Sequence, residues 1–477
     1  MLRTKIVCTM GPASSSPEMI RALVAAGLDM ARINMSHGSH ETHARTIEWV
    51  REAAREAGRP VAVLADLAGP KIRVGDLPLQ IELVPGAHVV LAPQAIAREN
   101  EIPTTYPELA HDLVPGSHVL LDDGLLDLEV EAVEGDRAIL TVVRGGMLLP
   151  RKGINLPGVS VRTASMTPKD EVDLEFALEH GAEYVGLSFV QRPEDVVLAK
   201  ERVQGRALVI AKIEKARALD AIEEILAEAD GVMVARGDLG VELPFEQVPL
   251  AQKRIIQLAN FSGRPVITAT QMLESMIEHP RPTRAEASDA ANAVLDGTDA
   301  LMLSGETAMG RYPVQAVEAL VRVAREIERS GVLQRGPRYL TALGNDARVG
   351  ASPREHAVAS ATVDAARQLG SPAILVITRS GKAARLVSSY RPPIPVFAIC
   401  NDPITFQRLA PVWGVHPKLW EPSAWEQEEV TYELLTAFGR ESVLEAGYGK
   451  PGDYVVVTAG VPFHTAGSTN TMRIEQL

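Results

Sequence analysis

Cysteine is scarce in this chain of 477 residues: only Cys8 and Cys400 are present, far apart and outside any Cys-x-x-Cys pair. Two such thiols argue against a disulfide framework and a structural zinc site, and they fit a reducing cytoplasm. No apolar stretch approaches the roughly 20 residues of a membrane span. The strand predicted from residue 5 leaves no room for a signal peptide. We therefore expect a cytoplasmic protein with no membrane partner.

Long basic runs are also missing, and the formal net charge is −13. This charge argues against nucleic acid or an anionic membrane as the main partner, because both are attracted by clustered positive charge. Small phosphorylated ligands held by a few well-placed cations remain possible. With 46% hydrophobic and 23% charged residues, the chain is globular, and its length predicts two or three domains.

Short apolar runs alternating with helical segments dominate the first two thirds of the chain. Ser16 followed by Pro17 is typical of a helix start, Gly27 of its end, and Thr167-Pro168 of another start. Because eight strands that alternate with helices are typical of a (β/α)₈ barrel, we predict an α/β fold of that kind. The predicted strands are 5–9, 30–34, 62–66, 184–188, 208–212, 231–235, 266–269 and 300–304.

Polar groups cluster at the C-terminal ends of these strands, where barrel enzymes carry their active sites. Lys212 and Glu214 lie two residues apart and face the same side of a strand; Asp238 follows the next strand. An ammonium beside two carboxylates indicates a divalent metal and a cation directed at a phosphoryl group. Taken singly, either motif could be an ordinary ion pair. The groups at strand ends are Arg32, Asp66, Ser188, Lys212, Glu214, Asp238, Thr270 and Ser304.

The regular spacing is interrupted between Asp66 and Tyr184. The intervening segment has many Val, Leu, Gly and Pro residues and turn pairs such as Asp123-Gly124, which favours a small inserted β domain. The predicted domains are a barrel from 1–71 and 166–344 and an insertion from 72–165. The insertion could close over the barrel mouth as a lid or be a passive addition.

A second α/β domain with a largely parallel sheet is predicted from 345–477. Its strands are expected at 373–378, 396–399, 415–419, 454–458 and 471–475, with helices from Pro353 and over 425–446. A hydroxyl- and glycine-containing turn between a strand and a helix resembles a phosphate pocket, although such turns also occur without a ligand. Its residues are Thr378, Arg379, Ser380, Gly381 and Lys382.

Long blocks of sequence resemble the pyruvate kinase family along essentially the whole chain. They are TKIVCTMGPAS (4–14), ARINMSHG (31–38), GPKIR (69–73), KGINLPG (152–158), AKIEK (211–215), MVARGDLG (233–240), ATQMLESM (269–276) and MLSGETA (302–308). The resemblance implies a barrel, an inserted lid and a C-terminal regulatory domain. It also implies phosphoryl transfer from phosphoenolpyruvate to ADP, which gives pyruvate and ATP in glycolysis.

Matching positions imply roles for individual residues. Glu214 and Asp238 match ligands of Mg²⁺ or Mn²⁺, and Lys212 matches the group that stabilises the transition state. The residues that match phosphoenolpyruvate-binding positions are Arg32, Lys212, Gly237, Asp238 and Thr270. Thr270 and Arg73 match further catalytic positions. The nucleotide-binding positions are matched by Asn34, His37, Arg73 and Lys152, with Asp123 nearby. Gly237 is expected in a turn whose backbone amides reach the substrate carboxylate.

The resemblance also implies a homotetramer with a phosphorylated allosteric effector, and a pocket for a monovalent cation at Asn34, Ser36, Asp66 and Leu67. Potassium-dependent members typically have threonine at the position of Leu67 and glutamate at the position of Lys71. A fixed ammonium would repel K⁺ and could supply its charge. We therefore expect Lys71 to replace K⁺, so that K⁺ is not required.

Two other functions compete with this interpretation. A metal-dependent barrel acting on an enolate, such as an aldolase or a phosphoenolpyruvate carboxylase-like enzyme, would share the carboxylates but need no lid that binds a nucleotide. A degenerate relative kept as a scaffold would have lost its lysine or a metal ligand, whereas Lys212, Glu214 and Asp238 are all present.

Overall fold

The computed structural model describes residues 2–77, 80–159, 161–162, 165–335, 352–421, 431–461 and 469–477. In this part of the chain, no helix combines the length and the apolar character needed to cross a membrane. Both cysteines are buried and unpaired as disulfides.

The chain begins with three parallel strands, β1 (Lys5–Met10), β2 (Met30–Asn34) and β3 (Ala62–Asp66), joined by helices α1 (Pro17–Ala26) and α2 (His40–Glu56). The predicted limits of α1 are confirmed. The Ser16 side chain accepts a hydrogen bond from the Met19 amide, and Gly27 ends the helix at a φ of 128°. A side-chain acceptor satisfies a first-turn amide, and glycine accepts a backbone conformation that other residues resist.

After β3 the chain leaves the barrel and forms mainly antiparallel sheet. Its strands are β4 (Ile81–Leu83), β5 (His88–Pro93), β6 (Ile102–Thr104), β7 (His118–Leu121), β8 (Leu126–Glu134), β9 (Arg137–Arg144), β10 (Gly146–Leu148) and β11 (Ile154–Asn155). Six strands pair in the order β11-β7-β8-β9-β5-β6, and β10 pairs with β4. The predicted insertion of strands is present, together with one short helix, α3 (Leu109–Asp112), that the sequence pattern does not predict.

The barrel then resumes with β12 (Tyr184–Leu187), β13 (Leu208–Ile213), β14 (Gly231–Ala235), β15 (Val266–Ala269) and β16 (Ala300–Leu303). The helices of this part are α4 (Pro168–Glu179), α5 (Pro193–Val203), α6 (Ala216–Asp220), α7 (Ile222–Glu228), α8 (Arg236–Glu242), α9 (Val248–Phe261), α10 (Arg284–Asp296), α11 (Gly305–Ala308) and α12 (Pro313–Arg329).

Eight parallel strands close the barrel in the order β1-β16-β15-β14-β13-β12-β3-β2. The predicted bounds are confirmed for β2, β3, β14 and β15, and the other four strands differ by one residue at their C-terminal ends. Large apolar side chains such as Met30, Ile210 and Met302 fill the interior. A second apolar layer lies between the strands and the helices, so the barrel is a packed core rather than a pore.

The C-terminal part forms one sheet in the order β19-β18-β17-β20-β21, in which only β21 is antiparallel to its neighbour. Its elements are α13 (Pro353–Leu369), β17 (Ile374–Ile377), α14 (Lys382–Ser389), β18 (Val396–Cys400), α15 (Pro403–Arg408), β19 (Val415–Leu419), α16 (Tyr432–Glu445), β20 (Tyr454–Ala459) and β21 (Thr471–Gln476). The start at Pro353 is confirmed. The predicted helix 425–446 is present as α16 from Tyr432; residues 425–430 lie outside the described residues.

This C-terminal sheet unit packs against the bottom of the barrel, opposite the strand ends predicted to carry the chemistry. Lys5 Nζ donates to Val415 O at 2.8 Å, the Val61 amide to Gln407 Oε1 at 3.1 Å, and Tyr184 Oη to Arg408 O. Lys5 and Tyr184 stand at the first positions of β1 and β12. The contacts therefore form at the N-terminal ends of the barrel strands.

Arg391 forms the most buried ion pair at this junction. Its guanidinium donates to both carboxylate oxygens of Asp299 at 3.0 Å and lies 4.9 Å from the centre of the Trp413 ring. Arg391 and Asp299 are 5% and 3% exposed, respectively. Because Asp299 immediately precedes β16, the pair joins the C-terminal unit directly to a barrel strand.

We predict that Arg391→Met lowers the free energy of unfolding by about 3–5 kcal/mol, because the Asp299 carboxylate would remain buried without its cation. Adding Asp299→Asn should recover part of this loss. The measurement is the midpoint of urea unfolding followed by circular dichroism. Arg367→Met is the control, since Arg367 pairs with Asp364 at the surface and such pairs contribute at most about 1 kcal/mol. Equal shifts for Arg391→Met and Arg367→Met would contradict the prediction.

Candidate active site

A buried ammonium between two carboxylates lies at the C-terminal mouth of the barrel. Lys212 Nζ is 2.8 Å from Glu214 Oε1 and 3.2 Å from Asp66 Oδ1, and it donates to Ser188 Oγ at 2.7 Å. Lys212 and Glu214 therefore share a face of the chain, as predicted from the strand alternation. Arg32 completes the group, with Nη2 2.6 Å from Asp66 Oδ2. Four charged groups, from β2, β3, β13 and the residue directly after β13, thus meet at one point.

The electrostatics of this group keep Lys212 charged. Burial opposes the ammonium, but the charges of Asp66 and Glu214 outweigh burial and raise the pKa of Lys212. Burial would raise the pKa of Asp66, yet Lys212 and Arg32 reverse the shift and lower that pKa. Lys212 is therefore a permanent cation at neutral pH, held in a water-poor site where its charge acts most strongly.

Glu214 has a different balance. Burial raises its pKa, Lys212 offsets this only in part, and the charge of Asp238 raises the pKa further. The neighbouring carboxylates of Glu214 and Asp238 form a favourable site for a hard divalent cation, whose charge would offset the repulsion between them. In the described residues no cluster of three or more His, Cys, Asp or Glu side chains could hold a metal. This pair fits Mg²⁺, which commonly takes one or two carboxylates and completes its shell with substrate and water.

The predicted turn at residues 236–238 is the first turn of helix α8. The Gly237 amide donates to Thr270 Oγ1 at 2.8 Å, so it is engaged within the protein rather than open to a substrate. The missing side chain still matters, because a Cβ at Gly237 would lie 3.3 Å from Thr270 Oγ1. Helix α8 is anchored by Leu239, which packs into the apolar layer between the barrel strands and the helices.

Thr270 stands in a strained conformation directly after β15. Its φ is 66° and that of Gln271 is 52°, a region that β-branched residues rarely enter. The buried Arg236 side chain donates to Thr270 O at 2.7 Å and to Gln271 O at 3.1 Å, and it pairs with Asp289 at 2.6 Å. This guanidinium holds the strained loop in place.

Sequence reasoning missed two supports of this kind. One is the role of Arg236, which stood in a quoted motif without any sign that it reaches back to β15. The other is Phe189, whose φ is 57° and whose amide donates to Glu214 Oε2 at 2.7 Å. An aromatic residue directly after a strand carries no signal of a left-handed backbone. Both features depend on contacts between neighbouring βα units.

The residues predicted for the nucleotide side lie at the end of β2, on the loop after it and on the inserted domain. Asn34 Oδ1 accepts the Ser36 amide at 3.1 Å, and His37 is exposed. Lys152 Nζ is 2.8 Å from Asp122 Oδ1, and Arg73 Nη1 donates to Arg151 O at 3.0 Å. Lys152 and Arg73 belong to the inserted domain, and in this conformation both make contacts within that domain.

Lys71 is exposed and lines a cleft of about 650 Å³ between the inserted domain and the barrel, together with Asp123 and Asp238. Among the residues predicted for the monovalent-cation pocket, Asn34 pairs in register with Asp66. Asp66 has Arg32 and Lys212 as its cations. The Leu67 side chain is buried in the apolar layer, and its carbonyl accepts a hydrogen bond from Ser188.

The predicted phosphate turn of the C-terminal unit is present between β17 and α14. Thr378 Oγ1 accepts the Gly381 amide at 3.0 Å, and Gly381 has a φ of 75°. Arg379 and Ser380 are exposed, whereas Lys382 Nζ lies 3.1 Å from Glu355 Oε2. The Gly/Ser/Thr-containing segment 466–471 could close beside this turn. Its residues 466–468 lie outside the described residues.

Comparison with known proteins agrees with this arrangement. Residues 1–317 match the family model "Pyruvate kinase, barrel domain", and residues 356–475 match "Pyruvate kinase, alpha/beta domain".

Among the similar curated proteins is the pyruvate kinase of Geobacillus stearothermophilus, 43% identical over 99% of this chain and 80% of that protein. The pyruvate kinase of Agrobacterium vitis is 43% identical over 100% of this chain and 97% of that protein. The one of Mycobacterium tuberculosis strain H37Rv is 44% identical over 100% of this chain and 98% of that protein. With both family models and full-length relatives in agreement, and with a buried lysine and two carboxylates at the barrel mouth, this chain belongs to the pyruvate kinase family.

Proposed function

We propose that Lys212 stabilises the phosphoryl group as it passes from phosphoenolpyruvate to ADP, the reaction of the family that gives pyruvate and ATP. The observation that carries this proposal is the position of its ammonium between Asp66 and Glu214 at the barrel mouth. A loose phosphoryl-transfer transition state needs placed positive charge more than covalent help. Because Lys212 is fixed before the reaction begins, no solvent reorganisation is needed when charge shifts.

Magnesium is the cofactor that the family generally uses, and Glu214 and Asp238 would hold it or Mn²⁺ here. Bound metal supplies positive charge shared with the carboxylate and phosphoryl oxygens of the substrate. Arg32 would bind the phosphoryl oxygens through its planar fork, while Thr270 and the α8 segment at Gly237 and Asp238 would border the substrate carboxylate. The Thr270 hydroxyl would also belong to the proton route to the enolate carbon.

The nucleotide would lie between the β2 loop and the inserted domain. Asn34 comes from the end of β2 and His37 from the loop after it. Arg73 and Lys152 come from the insertion. Since Lys152 now pairs with Asp122, we infer that closure of the insertion exchanges this carboxylate for a nucleotide phosphate near Asp123. We retain the domain boundaries 1–71 with 166–344, 72–165 and 345–477 as part of this proposal.

Three further properties complete the proposal. Lys71 takes the role of K⁺ through its fixed charge, although it now faces the cleft rather than Asp66. The chain forms a homotetramer in the cytoplasm. A sugar phosphate or a nucleoside monophosphate binds the turn of Thr378, Arg379, Ser380, Gly381 and Lys382, where the exposed hydroxyl and guanidinium offer donors to a phosphate.

Lys212→Met should lower turnover by a factor on the order of 10²–10³, the loss typical of one preorganised electrostatic group. Phosphoenolpyruvate binding should stay measurable, because the lysine charge matters most in the transition state. ATP formation from phosphoenolpyruvate and ADP, with and without Mg²⁺, is measured in an assay coupled to lactate dehydrogenase. Lys253→Met is the control, since Lys253 pairs with Asp296 on the outer helices. More than half of the original turnover in Lys212→Met would remove the residue from catalysis.

Replacing K⁺ by tetramethylammonium at constant ionic strength should leave turnover in Mg²⁺ almost unchanged. Lys71→Glu should create a K⁺ requirement, because a carboxylate attracts the ion that the ammonium repels. Lys450→Glu makes the same change of charge at an exposed position of the C-terminal unit and should create none. A tenfold or larger collapse of the unmodified enzyme without K⁺ would reject the role of Lys71.

Ser380→Asp should abolish activation by phosphorylated metabolites, because an added carboxylate repels a phosphate. Ser380→Ala, which removes only the hydroxyl, should weaken activation less. The measurement is the saturation curve for phosphoenolpyruvate with a panel of sugar phosphates and nucleoside monophosphates. If no metabolite shifts the curve of the unmodified enzyme, the turn is not an effector site.

A further inference from the structure

A second cavity lies far from the barrel mouth, between the end of α12, the first residues of the chain and the C-terminal unit. Its volume is about 430 Å³, within the range of sites for small molecules. Three arginines, Arg3, Arg325 and Arg329, line it together with one carboxylate, Glu328. Three positive charges and one negative charge leave a local excess of two positive charges in a chain whose formal net charge is −13.

Glu328 is already occupied by other donors. It accepts the Arg3 amide at 3.0 Å, and its other oxygen accepts the Thr4 amide at 2.7 Å and the Thr4 hydroxyl at 2.8 Å. Arg3 is fixed as well, since it donates to Pro393 O at 3.2 Å and lies 5.2 Å from the centre of the Trp413 ring. The carboxylate therefore positions the N-terminal residues and does not engage the other two arginines.

Arg325 and Arg329 stand four residues apart on α12 and are exposed. Like charges at this spacing destabilise a helix by a few tenths of a kcal/mol. Within the described ranges neither side chain has a hydrogen bond or an ion pair. Two planar guanidinium groups directed at one cavity match the oxygens of a phosphate, which arginine binds in a bidentate manner.

The other walls suit the organic part of a ligand. Tyr448 and His416 belong to the C-terminal unit, as do two prolines. Burial and the nearby charge of Lys5 lower the pKa of His416 to about 2, so its ring is neutral and adds no charge of its own. Burial also raises the pKa of the Tyr448 phenol, which keeps its proton.

We propose that this cavity binds a phosphate monoester, with the phosphate between Arg325 and Arg329 and the organic part against the C-terminal unit. The site is distinct from the turn at Thr378–Lys382 and from the barrel mouth. Arg3 precedes β1, so the cavity lies at the bottom of the barrel, where the barrel and the C-terminal unit meet. A ligand there contacts both and stabilises their junction without competing with the substrate.

Isothermal titration calorimetry of the full chain tests the proposal, with glycerol 3-phosphate and inorganic phosphate as separate probes at constant ionic strength. We expect one glycerol 3-phosphate site per chain that weakens at least tenfold in the double variant Arg325→Ala/Arg329→Ala. Arg322→Ala, an exposed arginine of the same helix outside the cavity, and Lys382→Ala in the other phosphate turn should leave this site unchanged. Turnover of the double variant at saturating substrates should stay within twofold, which shows that it is folded.

The outcomes separate the alternatives. Equal affinity for both probes would assign the site to the phosphate group alone and overturn the part of the proposal that concerns the organic group. An isotherm unaffected by the double variant would overturn the site. An equal loss in Arg322→Ala would do so too, because it would show a general effect of charge. Loss in Lys382→Ala alone would place the binding at the other turn.

Discussion

The ammonium of Lys212 is the charge around which the barrel mouth is arranged. A lysine in so buried a position loses most of its hydration, and its charge persists only because two carboxylates and a hydroxyl replace the lost water. Asp66 belongs to β3, Glu214 directly follows β13, and Ser188 directly follows β12. Asp66 is further bound by Arg32 from β2. Removing any one of the four charged groups would leave a buried partner with less compensating charge, so Arg32, Asp66, Lys212 and Glu214 act as a unit.

The second carboxylate of the site depends on backbone strain in the neighbouring units. Glu214 keeps its orientation because the Phe189 amide, at a positive φ, donates to it. Thr270 keeps a positive φ because Arg236 binds its carbonyl and because its hydroxyl accepts the Gly237 amide. Strained residues persist only where surrounding contacts over-determine them. Here those contacts join the segment after β14 to the segment after β15, and the segment after β12 to the segment after β13. Neighbouring strand ends at the mouth are therefore held to one another.

The two ends of the barrel carry different tasks. Catalytic charges lie at the C-terminal ends of the strands, whereas Lys5, Val61, Tyr184 and Asp299 bind the C-terminal unit at the opposite ends. Four barrel strands therefore connect the C-terminal unit to the mouth. β1 and β12 begin at a residue that contacts the unit, and β3 and β16 begin directly after one. A rearrangement at the bottom of a close-packed barrel is felt along these strands, because packed cores move between discrete arrangements rather than deforming continuously.

Much of the fold follows from local rules alone. The strands are short and β-branched, and the helices between them are bounded by caps such as Ser16 and Gly27 of α1, so period, length and turn chemistry are sufficient to place all eight strands within one residue. The two-residue spacing of Lys212 and Glu214 is by itself enough to put both on one face of a strand, and the matching blocks point to the family. Tertiary structure decided what depends on distant neighbours. Examples are the pairing of Lys152 with Asp122, the hydrogen bond from Arg236 to the Thr270 carbonyl, the left-handed backbone at Phe189 and the contact of the Gly237 amide with Thr270. A side chain four atoms long chooses its partner among groups that only the closed barrel brings near, and no local pattern in the sequence records that choice.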